Sequence, residues 1–267
     1  MSSSSPDPTR RFGDRVANYV AARPGYPPQI VDRLVAIGGW QCPVTVADLG
    51  SGTGLSARPF LDAGHRVRGV EPNAEMRAAA EAWLGDRAGF ESIEGRAEVT
   101  GLPDASVDLV IAAQAFHWFD VDASAREVRR ILKPGGIAAV VWNLRRTGGT
   151  PFLDGYEALL REYGTDYSEV SARYADPDAL RRFFGGSFIR DDVESLQRFD
   201  REGLRARLLS SSYTPPPGHP RHVPMLAALE ALFERTAVDG LVDFAYDTCL
   251  YVAAADTPAV KRSSRSR

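Results

Sequence analysis

The run Val44-Thr45-Val46-Ala47-Asp48-Leu49-Gly50-Ser51-Gly52-Thr53-Gly54 limits this chain more than any other stretch. Apolar, β-branched residues lead to an acid and then to glycines on alternate positions. A helical pattern follows at once, so the stretch reads as strand, tight turn and helix N-terminus. Glycine tolerates positive φ and lets a ligand lie against the backbone, while the free N–H groups of a helix start attract negative charge. A G-x-G-x-G turn alone serves several classes of protein, and the next strand narrows them. Arg66-Val67-Arg68-Gly69-Val70 runs into Glu71-Pro72-Asn73, which puts a carboxylate at a strand's C-terminal end about twenty residues after the first glycine. In a parallel sheet that end lies beside the glycine turn, where an acid accepts both hydroxyl hydrogens of a ribose. Glycine turn and acid together point to an adenosine-type cofactor.

The rest of the first half keeps the strand–helix alternation. Helical spacing places a helix from about Leu55 to Ala63, and Asn73 caps another whose Met76, Ala79, Ala80 and Trp83 face a core. Strands are predicted at Phe90–Ile93, Val107–Ala113 and Ile137–Trp142. Asp122 opens a helix that stops at Lys133-Pro134-Gly135-Gly136. This is an α/β doubly wound sheet. Beyond it come helices from Phe152 and Pro177, a strand at Val193–Phe199, an irregular Ser210–His219 connection, a helix at Met225–Phe233 and a last strand from Leu241 to Val252. The expected organisation is a disordered lead (1–10), a single domain (11–255) and a disordered basic tail (256–267). Within the domain, 11–40 form an N-terminal lid, 41–145 the cofactor-binding core, and 146–190 with 200–236 the cap insertions.

Composition narrows the partners. A net charge of −3 gives no global attraction to nucleic acid or anionic membrane. No apolar stretch reaches membrane-spanning length and the start has no apolar signal core, so a cytoplasmic protein is expected. Cys42 and Cys249 have neither metal-ligand spacing nor the count of a disulfide framework, and read as buried free thiols. No metal is expected. The expected partner is a small-molecule acceptor, with no nucleic acid, no membrane and a monomer or homodimer.

Several side chains are candidates for the site. Tyr19, Arg23 and Tyr26 flank a Pro/Gly break before the first strand, either as core and surface residues or as a lid in which Arg23 pairs a carboxylate. Glu94-Gly95-Arg96-Ala97-Glu98 follows the third strand and reaches the same sheet edge, where Ala97 and Glu98 read either as adenine contacts or as a plain helix start. Gln114-Ala115-Phe116-His117-Trp118-Phe119-Asp120 puts a histidine among three aromatics after the fourth strand, in a place where small polar residues are the default. His117 is a candidate base or positioning residue, or a packed ring; Trp118 and Phe119 are walls for a cation, or core.

These motifs, with Leu132-Lys133-Pro134-Gly135-Gly136, resemble those of a class I S-adenosylmethionine-dependent methyltransferase of the type 11 group. Ala22-Arg23-Pro24-Gly25-Tyr26-Pro27 and the His-Trp loop are similar to the trans-aconitate methyltransferase-like branch. The resemblance covers residues 10 to 145. It implies a seven-stranded Rossmann-like sheet with a helical cap and S-adenosyl-L-methionine as cofactor. It implies that Gly50, Gly52 and Gly54 wrap the methionine part and ribose, Glu71 binds the ribose hydroxyls, Ala97 and Glu98 face the adenine and Gln114 lies near the methionine amino group, with Tyr19, Arg23, Ser51, Pro72 and Ala115 as further cofactor-binding residues. Many relatives carry an aspartate where this chain has Arg96. The implied activity is methyl transfer to a small-molecule carboxylate, phenol or activated carbon. The alternatives are methylation of tRNA or another macromolecule, or binding of the cofactor without turnover. A nicotinamide oxidoreductase is opposed by G-x-G-x-G in place of G-x-G-x-x-G.

Overall fold

The computed structural model describes residues 25–41, 43–167 and 176–254. Tyr19, Arg23, Cys42, the lead and the tail lie outside them. One seven-stranded sheet runs through the domain in the order β3-β2-β1-β4-β5-β7-β6. Its strands are β1 (Thr45–Leu49), β2 (Arg66–Glu71), β3 (Phe90–Glu94), β4 (Val107–Ala113), β5 (Leu132–Arg145), β6 (Ile189–Phe199) and β7 (Val242–Ala254). The first five are parallel, and β7 is inserted antiparallel between β5 and β6.

The central strands β1 and β4 and the 137–142 run of β5 are largely apolar on both faces because helices cover both. One layer packs Val46, Leu109, Ile111 and Val141 under α1 (Gln29–Gly38) and α2 (Ala57–Asp62). The other packs Ala47, Val110, Val140 and Trp142 against α4 (Val121–Ile131) and α6 (Pro177–Phe184); α3 (Ala74–Leu84) follows β2. A third cluster, termed the cap, is formed by α5 (Pro151–Tyr163), α7 (Arg201–Leu209), α8 (His222–Thr236) and the start of β7, whereas α6, expected within the 146–190 cap insertion, packs on the sheet.

Five of the eight described α-helices start at a side chain that accepts from free N–H groups. Asn73 accepts from Glu75 and Met76, Thr150 from Leu153, Asp176 from Asp178 and Asp200 from Gly203. Two expectations change. Asp120, accepting from the Asp122 and Ala123 amides, caps α4, so the helix opens one residue before Asp122. Lys133-Pro134-Gly135-Gly136 is no free loop: β5 already begins at Leu132, and this run is a bulge between the pairs Val107↔Leu132 and Leu109↔Ile137. Lys133 closes the bulge by reaching Asp108 at 2.9 Å, and Asp108 also accepts from the Thr45 amide at 2.9 Å. Helix α7 is an addition, since its sequence Arg-Glu-Gly-Leu-Arg-Ala-Arg reads as polar.

Candidate functional site

Strand order reverses between β1 and β4, and the crevice outside the carboxyl ends at such a point is where open α/β sheets bind ligands. A cavity of about 520 Å³ lies there.

The glycine turn forms one wall. Gly50, Gly52 and Gly54 have φ of 67°, 55° and 81°. A Cβ on Gly50 would stand 2.6 Å from the Ala115 Cβ, and one on Gly54 would stand 2.4 Å from Leu84 Cδ1, so these two close the turn against neighbouring loop and helix. A Cβ on Gly52 would meet no protein atom within 4 Å. Because Gly52 lines the cavity, its open side is left for a ligand to approach the backbone.

Glu71, 8% exposed, ends β2 on the floor of the cavity. Its Oε2 accepts from the Gly52 amide at 3.0 Å and its Oε1 from the Asn73 amide at 2.8 Å. Arg77 braces the turn from beneath, donating to the Glu71 and Pro72 carbonyls at 2.9 Å each. Burial pushes the Glu71 carboxyl above its usual range, against the two amides and Arg77, which pull it down. A carboxylate has about four lone-pair sites. Two are taken and fix its orientation, and Glu71 lines the cavity with the others not used by these amides.

Asp48 lies under the turn, fully buried, with Oδ2 accepting from the Ser56 hydroxyl at 2.6 Å and Oδ1 without a hydrogen-bond partner. Burial pushes its carboxyl up to about 7, with the Glu71 charge adding to the rise and Ser56 opposing it. A carboxyl raised from 3.8 holds a proton in the folded protein that the unfolded chain has released. Its contribution to stability is therefore complete below pH 4, falls as pH rises toward 7, and is level above that. The difference amounts to roughly 4 kcal/mol. Subtracting the thermal melts of Asp48→Asn from those of the wild type across pH 4 to 8 should isolate this slope; a difference independent of pH would refute the assignment.

Ala97, Glu98, Gln114, Ala115 and Pro72 all line the cavity, as does Ser51. Glu98 accepts from the Asp120 amide at 2.9 Å and so ties the loop after β3 to the loop after β4. Gln114 has φ of 57° without being glycine, a conformation held by its amide donating to Val141 and its Nε2 donating to the Asn143 carbonyl at 3.0 Å. Backbone strain of this kind gathers at ligand sites.

His117 is placed differently from the rest. It is not among the lining residues, and its ring packs on Trp118 at 4.4 Å and Trp142 at 5.4 Å between centroids. It is thus a packed ring of the aromatic loop, while its neighbours Trp118 and Phe119 wall the cavity. The sequence reading did not single out Asn143 or Met76 for the site, and both line it; Tyr26, expected as part of a lid, lines it too. Asn143 carried one signal, as the first polar residue after the apolar run of β5. Among the described residues no group of three His, Cys, Asp or Glu side chains is arranged to hold a metal ion, and no helix is long and apolar enough to cross a membrane.

An open sheet in the order 3-2-1-4-5-7-6, with a glycine turn after β1 and a buried acid ending β2, defines a Rossmann-like α/β protein of the class I methyltransferase fold. The sequence comparisons then supply the family. A profile described as Methyltransferase domain matches residues 47–140. An uncharacterized methyltransferase of Mycolicibacterium gilvum is 31% identical over 190 residues, covering 62% of this chain and 70% of its own length. The chain belongs to the methyltransferase family. An uncharacterized methyltransferase of Mycobacterium tuberculosis is 38% identical over 177 residues, or 66% of this chain, and the match spans 65% of that relative's length. A solved structure from Anaeromyxobacter dehalogenans, assigned as a type II methyltransferase, superposes with a TM-score of 0.62 at 23% identity, covering 87% of this chain and 98% of its own. At that identity the likeness concerns the fold.

Proposed function

We propose that this protein binds S-adenosyl-L-methionine in the cavity at the β1/β4 switch point and transfers its methyl group to a small-molecule acceptor. The observation that carries the reading is Glu71: a buried carboxylate, oriented by the Gly52 and Asn73 amides, with acceptor positions left over for a pair of vicinal hydroxyls. The residues around it fit the remaining parts of the cofactor. Gly52 offers open backbone beside the ribose. Ala97 and Glu98 provide an apolar and a polar contact for the adenine, and Gln114 and Asn143 provide amide and carbonyl groups near the methionine end.

The cofactor, when bound, would supply an electrophilic methyl on a sulfonium, with a neutral thioether as the leaving group. The protein's share is alignment and exclusion of water. Tyr26, Trp118 and Phe119 line the cavity, where aromatic faces attract a cation. His117 serves in this reading as a positioning residue that holds the aromatic loop.

Titration calorimetry of the protein with S-adenosylmethionine, S-adenosylhomocysteine and NADH tests the assignment. Micromolar-range binding of both adenosyl ligands and none of NADH is expected. NADH binding without adenosyl binding would overturn it.

A further inference from the structure

The cap holds a group of charged and phenolic side chains that lies outside the stretch matched by the family profile. Arg145 and Arg207 approach it from β5 and α7, and Tyr156 and Tyr246 from α5 and β7. Their surroundings differ in one respect. Arg145 is matched by a carboxylate, Glu157, which also accepts from the Tyr167 hydroxyl at 2.6 Å. Arg207 is 6% exposed; it reaches the Tyr246 hydroxyl at 3.3 Å and Ser211 Oγ at 3.0 Å and lies over the Phe244 ring. All these partners are neutral, and no described carboxylate pairs with it. A guanidinium stays charged when buried, so among the described residues the group carries one positive charge more than it balances.

The second observation is Tyr156. It is 1% exposed, and its hydroxyl is buried without a hydrogen-bond partner. Burial pushes its ionisation up, and Arg207 first and then Arg145 act against that rise, so the hydroxyl sits within the field of both cations. A buried hydroxyl left unpaired is costly, and so is a buried cation left unbalanced. A carboxylate satisfies both, accepting from the guanidinium on one side and the phenol on the other.

The register of the sheet brings one member of this group, Arg145, within two residues of the cavity wall. Asn143 pairs with Thr248, and Arg145 with Tyr246. Side chains two apart on a strand share a face, so Asn143 in the cavity wall and Arg145 in the cap point the same way. Two residues of strand span about 7 Å.

We infer that Arg207 and Tyr156 form a carboxylate-binding site in the cap that anchors the methyl acceptor, while a different atom of the same molecule, some 7 Å or more away, faces the methyl group. The acceptor is then a small organic acid in which the carboxylate is the handle and not the point of reaction. The acceptor half of this statement rests on the proposed transfer; the anion site does not.

The test uses the full chain saturated with S-adenosylhomocysteine and titrated with acetate, benzoate and succinate, with benzamide and inorganic phosphate as controls, in calorimetry and thermal shift. At least one carboxylate should bind saturably, and benzamide at least tenfold more weakly than benzoate. Arg207→Gln should weaken the carboxylate tenfold or more with S-adenosylhomocysteine affinity unchanged. Tyr156→Phe keeps the fold testable, because it removes only the unpartnered hydroxyl: the ligand-free protein should melt no lower than wild type, while the carboxylate binds several-fold more weakly. No saturable carboxylate binding, or binding indifferent to both substitutions, would overturn the site. Tighter binding of phosphate than of any carboxylate would overturn its chemistry. Failure of S-adenosylhomocysteine itself to bind would strike at the transfer reading instead.

Discussion

Replacing Glu71 with alanine is expected to weaken S-adenosylmethionine binding by on the order of 100-fold, the equivalent of two charge-assisted hydrogen bonds to a ribose. The loss has a second source, since Glu71 also holds the Gly52 and Asn73 amides from either side, and without it the turn that faces the ligand loses its anchor. Glutamine does not rescue this. Its single side-chain oxygen satisfies one of the two amides, and its NH2 group meets the other donor to donor. Glu71→Gln should therefore bind the cofactor nearly as poorly as Glu71→Ala. Calorimetry on both variants is the check, and wild-type affinity in either would remove the ribose from Glu71 and with it the placement of the cofactor.

The second large effect concerns stability. Glu157 accepts from Arg145, from Tyr167 at 2.6 Å and from Arg161 at 2.9 Å, and Arg145 has a side chain only 9% exposed. Glu157→Ala strands that guanidinium, which costs about 3–5 kcal/mol and should lower the melting temperature by on the order of 10 °C. Arg161→Ala is the contrast. Its side chain is 71% exposed, so its share of the same carboxylate is worth at most about 1 kcal/mol. Burial pushes the Glu157 carboxyl up, but Tyr167, Arg161 and Arg145 hold it below its usual range. The stabilisation is thus present at neutral pH and is lost as pH falls through that lowered value. Replacing both partners by apolar residues, Arg145→Met with Glu157→Leu, should recover much of the loss, because no charge is then left alone. If Glu157→Ala melts with the wild type, Arg145 is reached by water and the cap is looser than described.

The half of the molecule that carries the cavity was legible because its signals are local. A β-branched run followed by alternate glycines has few backbone solutions, and Glu71 is read from its place at the end of the next strand. The apolar period of β4 gave its bounds to the residue, Val107–Ala113. The cap was less legible for physical reasons. Helix α7 reads as polar, and Arg207 is buried by the tertiary fold and not by its neighbours in sequence. Pro134-Gly135-Gly136 signals an end of structure, yet a sheet absorbs it as a bulge because Leu132 already has a partner in Val107. His117 stood among aromatics, which suggested a site. Packing on Trp142, a core residue 1% exposed, is a relation no spacing along the chain discloses.

The place of β7 has a consequence for how the chain is made. It lies between β5 and β6, so β6 has no strand to pair with until β7 has been synthesised. Roughly forty residues separate the end of β6 from the start of β7, so at ordinary elongation rates an exposed strand waits seconds on the ribosome. That interval is one in which edge-to-edge aggregation competes and a holding chaperone would help. The same order reaches the cavity, because Asn143 receives its 2.6 Å hydrogen bond from Thr248, on the strand that arrives last. The cavity wall at Asn143 is therefore finished only when nearly all of the described chain has emerged.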